Sequence, residues 1–207
     1  MIALIDYGAG NLQSVVNALE FIGCSDVVIT GDSQVLRSAD AAILPGVGSF
    51  GHAMGCLEQS GLVEPVKEFI ASGKPFLGIC LGLQMLFEES EESPGVAGLG
   101  IFRGKIRLIP ADFEYKIPHM GWNSLSIKKH SGLYEGIEPN PYVYFVHSYY
   151  LKAEDRGIVS AQTHYSVDID VSIESDNVYA TQFHPEKSGD IGIQMLRNFL
   201  SKIPNHP

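Results

Sequence analysis

The sequence predicts an α/β fold: an open, mostly parallel sheet with helices on both faces and added antiparallel strands in its second half. Short apolar runs alternate with segments of helical spacing through the first half, which is typical of parallel strands joined by helices. The second half is richer in strand-like runs. Because the chain shows neither an internal repeat nor a convincing linker, we expect one domain over residues 1–207.

The first half contains four apolar runs short enough to be buried strands. They lie at residues 2–5, 27–30, 41–44 and 76–78, and Pro45-Gly46 is expected to end the third. Three further segments repeat apolar residues at helical spacing and therefore predict helices. These helices are expected at residues 12–22, 62–71 and 81–88.

The second half predicts further strands and a last helix. The strands are expected at residues 106–108, 142–146, 158–161 and 178–183, and the helix at residues 188–200. The acidic, serine-containing stretch 88–94 is expected to form a surface loop. Its paired acids, at positions 88–89 and 91–92, are interpreted as a solvated surface rather than a metal or acid–base site.

Charge and cysteine content limit the possible functions. The 24 acidic and 14 basic side chains give a formal net charge of -10, which argues against nucleic-acid binding, since such surfaces are usually basic. Cys24, Cys56 and Cys80 are odd in number and lack C-x-x-C spacing, so no disulfide framework or zinc site is predicted. A reduced, cytoplasmic location is expected. The first residues do not resemble a signal peptide, and no apolar run approaches the roughly 20 residues of a membrane span.

A nucleophile motif, Gly78-Ile79-Cys80-Leu81-Gly82, lies where the fourth strand meets a helix. This is the G-x-nucleophile-x-G pattern, in which the glycines permit a tight turn and the middle side chain is left exposed. A helix N-terminus favours the thiolate form of a cysteine. The N–H of Leu81 would point to where an oxyanion forms. Cys80 is therefore the candidate nucleophile, whereas Cys24 and Cys56 are interpreted as small core residues.

A candidate base follows the strand at 178–183. In extended chain, residues two apart face the same side, so His184 and Glu186 are expected to lie together, with Pro185 fixing the backbone between them. The carboxylate would set the imidazole tautomer and leave the other ring nitrogen to accept the thiol proton. Cys80, His184 and Glu186 therefore form a predicted Cys-His-Glu triad at the carboxyl edge of the sheet.

Two other ligand-binding motifs are incomplete or missing in this sequence. Gly8 and Gly10 could begin a dinucleotide fingerprint, but the position of the third glycine is Gln13. The chain has no G-x-x-x-x-G-K-[ST] phosphate loop. No cofactor and no metal site is predicted.

Together the motifs resemble those of the class I, triad-type glutamine amidotransferases. Residues 78–84, 183–186 and 44–48 look like the nucleophile, His-x-Glu and oxyanion motifs of that family. Further blocks are similar to the branch of the family that serves histidine biosynthesis. They lie at residues 6–12, 45–50, 119–123, 144–149 and 184–188, so the resemblance covers the whole chain.

The resemblance implies a fold, a reaction and a set of site residues. The implied reaction is the hydrolysis of L-glutamine to glutamate and ammonia through a glutamyl thioester on Cys80. The implied oxyanion hole uses the Leu81 N–H and one N–H of Val47 or Gly48. The implied substrate-binding residues are Gly46, Gln84, Ser148 and Tyr149.

The resemblance also implies a partner, a (β/α)₈ cyclase subunit that receives the ammonia in a heterodimer. Trp122 is a candidate interface anchor, since tryptophans dominate binding hot spots, although an ordinary core position is equally compatible with the sequence. Asn11 and His119 are lesser interface candidates. No nucleic-acid or membrane partner is expected.

The glycines of Pro45-Gly46-Val47-Gly48 suggest a regulatory hypothesis. They make peptide reorientation inexpensive, so the free chain is expected to hold the oxyanion donor turned away and to be weakly active without its partner. Three alternatives stay open. The first is a glutaminase of another amidotransferase, such as one for vitamin B6, anthranilate or carbamoyl phosphate synthesis. The second is a cysteine peptidase or hydrolase of the same fold, and the third is a catalytically silent binding subunit.

Overall fold

The computed structural model describes residues 1–110 and 113–204. His206, for which the sequence suggests only an ordinary polar setting, lies outside the described residues. In the first half, strands and helices alternate as expected. Their order is β1 (Ile2–Ile5), α1 (Leu12–Phe21), β2 (Val27–Thr30), α2 (Ser33–Ser38), β3 (Ala41–Gly46), α3 (Phe50–Gln59), α4 (Val63–Ala71), β4 (Phe76–Cys80) and α5 (Leu81–Met85).

The second half is mostly strands. They are β5 (Glu89–Ser90), β6 (Gly104–Leu108), β7 (His119–Ser124), β8 (Ser126–Ile127), β9 (Tyr142–His147), β10 (Tyr149–Ala153), β11 (Val159–Tyr165), β12 (Val167–Ser175) and β13 (Val178–Thr181). The last helix, α6, spans Gly189–Leu200. No helix in the two described ranges combines the length and apolar character needed to cross a bilayer.

One large mixed sheet organises the molecule. Its strand order is β2-β1-β3-β4-β13-β12-β10-β6-β5, with β11 paired to β12 and β8 paired to β11. The pairs from β2 through β13 are parallel, and β13–β12, β12–β10 and β10–β6 are antiparallel. A separate antiparallel ribbon joins β7 and β9. The predicted α/β class, with a parallel sheet and added antiparallel strands, is confirmed.

The parallel strands β1, β3, β4 and β13 are buried on both faces, and alternate residues enter two different cores. Ala3 and Ile5 pack in the core that contains Leu36 of α2, Leu57 of α3 and Val66 of α4. The opposite face, which includes Ile2 and Leu4, packs against apolar residues of α1 and α6. Because β-strand side chains alternate between faces, each of these strands contributes to both layers, and both of its faces are largely apolar.

Several expected boundaries were wrong. β3 continues through Pro45 and Gly46 instead of ending before them, because Gly46 pairs in register with Cys80 of β4. α5 ends at Met85 rather than at residue 88, and β5 begins within the stretch expected to be a loop. Helices α2 and α3, and strands β7, β8, β10 and β12, were not predicted.

The acids of residues 88–92 are more than a solvated surface. Glu92 Oε2 accepts a hydrogen bond of 2.7 Å from the Phe50 N–H, at the beginning of α3. Glu88 Oε2 accepts from Gly104 N (3.1 Å), and Glu91 Oε2 from Leu108 N (2.9 Å). These carboxylates join the segment after α5 to α3 and β6, while Glu88, Glu89 and Glu91 remain exposed, as expected for a solvated surface.

Candidate active site

The carboxyl ends of β3, β4 and β13 meet at one edge of the sheet. Gly46 pairs with Cys80 at the end of β3 and β4, and Ile79 pairs with Thr181 at the end of β13. Open α/β sheets place their sites at such an edge. Cys80 therefore lies between the Val47–Gly48 segment on one side and the segment that carries His184 on the other.

The turn at Cys80 has an uncommon backbone conformation. Cys80 has φ 57° and ψ -109°, a region that non-glycine residues seldom occupy. Close packing holds it there. A Cβ on Gly82 would lie 1.9 Å from the Leu44 carbonyl oxygen, and one on Gly78 would lie 2.9 Å from the Gly82 carbonyl oxygen. Glycine is therefore required on both sides of the turn, so that α5 can start directly against β3.

His184 and Glu186 form a buried pair. His184 Nδ1 lies 2.7 Å from Glu186 Oε1, and their side chains are only 3% and 2% exposed. The contact is the expected one, but its geometric basis is different: residues 185–187 form a 3-10 turn, not extended chain. The backbone of His184 is bound to β9, because His184 N donates to Tyr144 O (3.1 Å). Ser188 Oγ, which accepts from Tyr144 N (3.0 Å), donates to His184 O (2.6 Å).

The second ring nitrogen of His184 is available for chemistry. Within the described residues Nε2 is buried without a hydrogen-bond partner, and His184 and Cys80 line the same cavity of about 330 Å³. Burial lowers the pKa of His184, but the nearby Cys80 thiol and the Glu186 carboxylate raise it more, to about 10. The imidazole is therefore protonated at neutral pH, beside the Cys80 sulfur.

The other predicted site residues divide between the cavity wall and its support. Val47, Gly48 and Leu81 line the cavity, with Val47 and Gly48 exposed and Gly48 at φ +94°. Gly46 is not part of the wall: it is buried, and a Cβ there would meet Tyr7 Oη at 2.8 Å.

Gln84, Ser148 and Tyr149 also line the cavity. Gln84 is buried and lies on the short helix that follows Cys80. Ser148 and Tyr149 are partly buried and lie where β9 gives way to β10. The wall is therefore built from both halves of the chain.

Sequence reasoning missed Gln182. Its side chain is fully buried, and its Nε2 lies 3.7 Å from Cys80 Sγ and donates to it. Its Oε1 accepts from Gln84 Nε2 at 2.8 Å. Gln182 precedes His184 by two positions, so the alternation argument applied to His184 and Glu186 could also have been applied to it.

The geometry can support covalent hydrolysis of a small amide. The family model "Glutamine amidotransferase class-I" matches residues 3–203, almost the whole chain. This chain belongs to the class-I glutamine amidotransferase family. The family and the enzyme class predicted from the motifs are therefore confirmed.

Curated relatives within this amidotransferase family are similar over nearly their full length. The "Imidazole glycerol phosphate synthase subunit HisH" of Methanothermobacter thermautotrophicus is 55% identical over 98% of this chain and 99% of the relative. The protein of the same name from Aquifex aeolicus is 51% identical, over 96% of this chain and 95% of the relative.

Solved structures of more distant proteins share the fold. A structure titled "Crystal structure of glutamine amidotransferase" superposes with a TM-score of 0.75 at 19% identity, covering 98% of this chain and 99% of the other. The "Structure of PurLQS from Thermotoga maritima" gives 0.74 at 20% identity, covering 97% of each chain.

The three interface candidates lie in different environments. Trp122 is 56% exposed, so the alternative of an ordinary core tryptophan is wrong. His119 lies on the same strand, but only 3% of it is exposed, and it presents little surface to a partner. Asn11 is exposed and caps α1, where its Oδ1 accepts from Ser14 N at 3.4 Å.

Proposed function

We propose that this amidotransferase is the glutaminase subunit of imidazole glycerol phosphate synthase. It hydrolyses L-glutamine to glutamate and ammonia and passes the ammonia to a (β/α)₈ cyclase subunit in histidine biosynthesis. The products of the complex are imidazole glycerol phosphate and an aminoimidazole carboxamide ribonucleotide. The observation that carries the proposal is that Cys80 opens into one cavity with His184, whose other nitrogen is paired with Glu186. The 45–55% identity to relatives named for that synthase supports the pathway.

The mechanism follows from the positions of the three side chains. The Cys80 thiolate attacks the carboxamide carbon of glutamine, and the protonated His184 gives its Nε2 proton to the departing ammonia. A glutamyl thioester remains on Cys80. His184 then takes a proton from water, which cleaves the thioester to glutamate and restores the thiolate. Glu186 accepts from Nδ1 throughout and so keeps Nε2 directed at the reacting atoms.

The cavity wall supplies the remaining roles. The Leu81 N–H, at the first residue of α5, and one N–H of Val47 or Gly48 stabilise the oxyanion of the tetrahedral intermediate. Gln84 helps to hold the glutamine, and Ser148 and Tyr149 bind its amino-acid end. Gly46 acts indirectly, because its lack of a side chain lets β3 approach Tyr7 and α5.

The partner regulates the oxyanion hole. Gly48 has φ +94° and Val47 is exposed, so a peptide reorientation in this segment disturbs little packing. In the free chain the donor is turned away, and binding of the substrate-loaded cyclase turns it inward. One such donor changes rates by roughly 10²–10³, and stimulation of that order is expected.

The proposed location is the reduced cytoplasm. Within the residues that the structure describes, no disulfide joins the three cysteines; Cys24 and Cys80 are buried and Cys56 is partly buried. Reduced thiols are the usual state of cysteines in that compartment.

The decisive experiment measures glutamate release by the full chain, with and without the cyclase subunit of the same organism. We expect weak release alone, strong stimulation by the loaded cyclase and no release with Cys80→Ala. Cys56→Ala is the matched control, because this thiol does not line the cavity that contains Cys80. A glutamine-shaped electrophile should label Cys80 but neither Cys24 nor Cys56 in mass spectrometry. Full activity of the Cys80→Ala complex would refute the proposal.

A further inference from the structure

Two buried histidines outside the triad face each other across the β7–β9 ribbon. His119 and His147 are partners in the antiparallel register, and His119 Nδ1 lies 2.9 Å from His147 Nε2. They are only 3% and 7% exposed. His147 also lines the cavity that contains Cys80. The proposed mechanism uses neither ring.

The neighbours of the pair determine where its protons lie. His147 Nδ1 is 2.9 Å from the Tyr149 carbonyl oxygen, which can only accept, so Nδ1 carries the proton. A neutral ring then has a bare Nε2, and the proton between the two rings belongs to His119 Nδ1. His119 Nε2 is left as an acceptor, 3.4 Å from Asn123 Nδ2. Every donor in this series of hydrogen bonds faces an acceptor.

Both rings are neutral at physiological pH. Burial lowers the pKa of His119 to about 4. Burial is the largest effect on the pKa of His147 and lowers it. The hydrogen bond to Tyr149 raises this pKa, the neighbouring His119 and His184 lower it, and the result is about 3. A second proton on either ring would also place two N–H groups opposite each other or opposite Asn123 Nδ2.

Aromatic neighbours hold the His119 ring in place. It is stacked on Tyr165 with ring centroids 3.9 Å apart and on Phe145 at 4.6 Å. A ring stacked against two aromatic neighbours has little freedom to rotate, so its donor stays directed at His147. The pair is therefore rigid as well as fully hydrogen-bonded.

The series of hydrogen bonds that starts at His119 ends at Gln84, on the wall of the glutamine cavity. The Tyr149 carbonyl that accepts from His147 also accepts from Gln84 Nε2 at 3.1 Å. The second N–H of Gln84 is directed to Gln182 Oε1. With both amide hydrogens of Gln84 used in this way, its own Oε1 is the atom left to receive a donor of the substrate.

We propose that His147, held by His119, is a positioning residue for glutamine: the pair fixes the Tyr149 carbonyl and, through it, the Gln84 side chain. The proposal deepens the function proposed above and rests on it. His147 acts on the substrate through Tyr149 and Gln84, whereas proton transfer belongs to His184. Its loss should therefore weaken glutamine binding without changing the reactivity of the thiol.

The test compares His147→Phe with His147→Asn in the full chain bound to its cyclase. Phenylalanine keeps a ring but cannot donate to Tyr149, and we expect KM for glutamine to rise roughly tenfold with kcat little changed, as loss of one buried hydrogen bond predicts. Asparagine places an N–H close to the position of Nδ1 and should restore most of the affinity. His164→Asn is the control, because His164 is 63% exposed and pairs with Asp168.

Cys80 reactivity separates positioning from general disruption. Iodoacetamide, which does not resemble glutamine, should alkylate Cys80 at the wild-type rate in His147→Phe, whereas a glutamine-shaped electrophile should label it more slowly. An unchanged KM in His147→Phe, an equal rise in both variants, or parallel slowing with both reagents would overturn the proposal.

Nitrogen NMR of the histidine rings tests the hydrogen-bonded pair without an activity assay. Both rings should carry one proton, on Nδ1, at neutral pH. A proton on His147 Nε2, or a doubly protonated ring, would overturn the proposed chain. A wild-type complex that releases no glutamate would instead refute the proposed function, so the two failures are distinguishable.

Discussion

At the scale of single residues, the site depends on what surrounds one sulfur and one imidazole. Cys80 is kept at φ 57°, a conformation that costs a non-glycine residue on the order of 1–3 kcal/mol and persists only where its surroundings enforce it. Gln182 donates to the sulfur, while Glu186 holds the facing imidazole. The nucleophile and its acid–base partner are thus positioned by different neighbours before any substrate binds.

Glu186→Gln should change both the titration of His184 and the reaction. The carboxylate is one of the groups that raise the pKa of His184 to about 10, so its loss should move this pKa down toward 6.5. Glutamate release by the complex should fall by roughly 10²–10⁴, because the imidazole loses the partner that sets its tautomer. NMR titration of His184 and the glutaminase assay measure the two effects.

Glu186→Gln should also change how the stability of the fold depends on pH. Because the folded pKa of His184 lies above its ordinary 6.5, proton binding there stabilises the fold fully below pH 6.5, and this contribution is lost as pH rises toward about 10. In Glu186→Gln the stabilising contribution of His184 protonation should be lost completely at a lower pH than in the wild type. Glu135→Gln, at an exposed carboxylate paired with Lys202, is the control. An unaltered His184 titration would contradict this account.

At the scale of elements, the motif glycines are set by packing between β3, β4 and α5. Leu44 and Gly78 are register partners in adjacent strands, and α5 begins three residues after Gly78. The chain can reverse so tightly only because Gly82 has no side chain, since a Cβ there would lie 1.9 Å from the Leu44 carbonyl oxygen. The glycines of the nucleophile pattern thus permit the close approach of helix α5 to strand β3 as well as the tight turn.

Gly82→Ala should destabilise the fold by about 3 kcal/mol or more, because its Cβ would meet backbone that cannot move aside. Gly55→Ala is the matched control in α3, where a Cβ would meet nothing within 4 Å. That substitution should stabilise the protein by up to about 1 kcal/mol, since alanine favours helix interiors. Denaturant unfolding of both variants measures the difference, and equal stabilities would exclude this packing argument.

At the scale of the whole molecule, the candidate site lies at the junction of the parallel and antiparallel halves. β13 follows the antiparallel strands in sequence but pairs in parallel with β4, and this places His184 beside Cys80. The β7–β9 ribbon adds an exposed apolar side to the cavity mouth. Met120 is exposed and pairs with Val146, which lines the cavity, and Trp122 lies two residues further along.

Trp122→Ala should weaken association with the cyclase by roughly 10–100-fold, because exposed tryptophans are frequent binding hot spots. The fold should be unaffected, since the side chain is more than half exposed. Phe21→Ala, at an even more exposed aromatic side chain near the end of α1, should leave association unchanged. Titration of the cyclase by calorimetry measures both, and equal affinities would remove Trp122 from the interface.

The elements missed by sequence reasoning fall into two kinds. β12 alternates apolar and polar residues from Val167 to Ile173, and that period of two could have been recognised. The six residues of β7 are mostly polar or glycine, and no local pattern marks them as a strand. They become one because β9 supplies backbone partners. α3, with two glycines in ten residues, similarly depends on packing and on the Glu92 carboxylate at its N-terminus.

The sequence by itself determined the fold class, the family and the identity of the candidate triad. Apolar periodicity and short motifs are local properties, and the spacing of glycine, cysteine, histidine and glutamate can be read along the chain. Only the tertiary structure decided that Gln182 donates to Cys80, that His119 is buried against His147, and that Trp122 is exposed. Such contacts join residues far apart in sequence, and hydrogen-bond direction and burial exist only once the strands have paired.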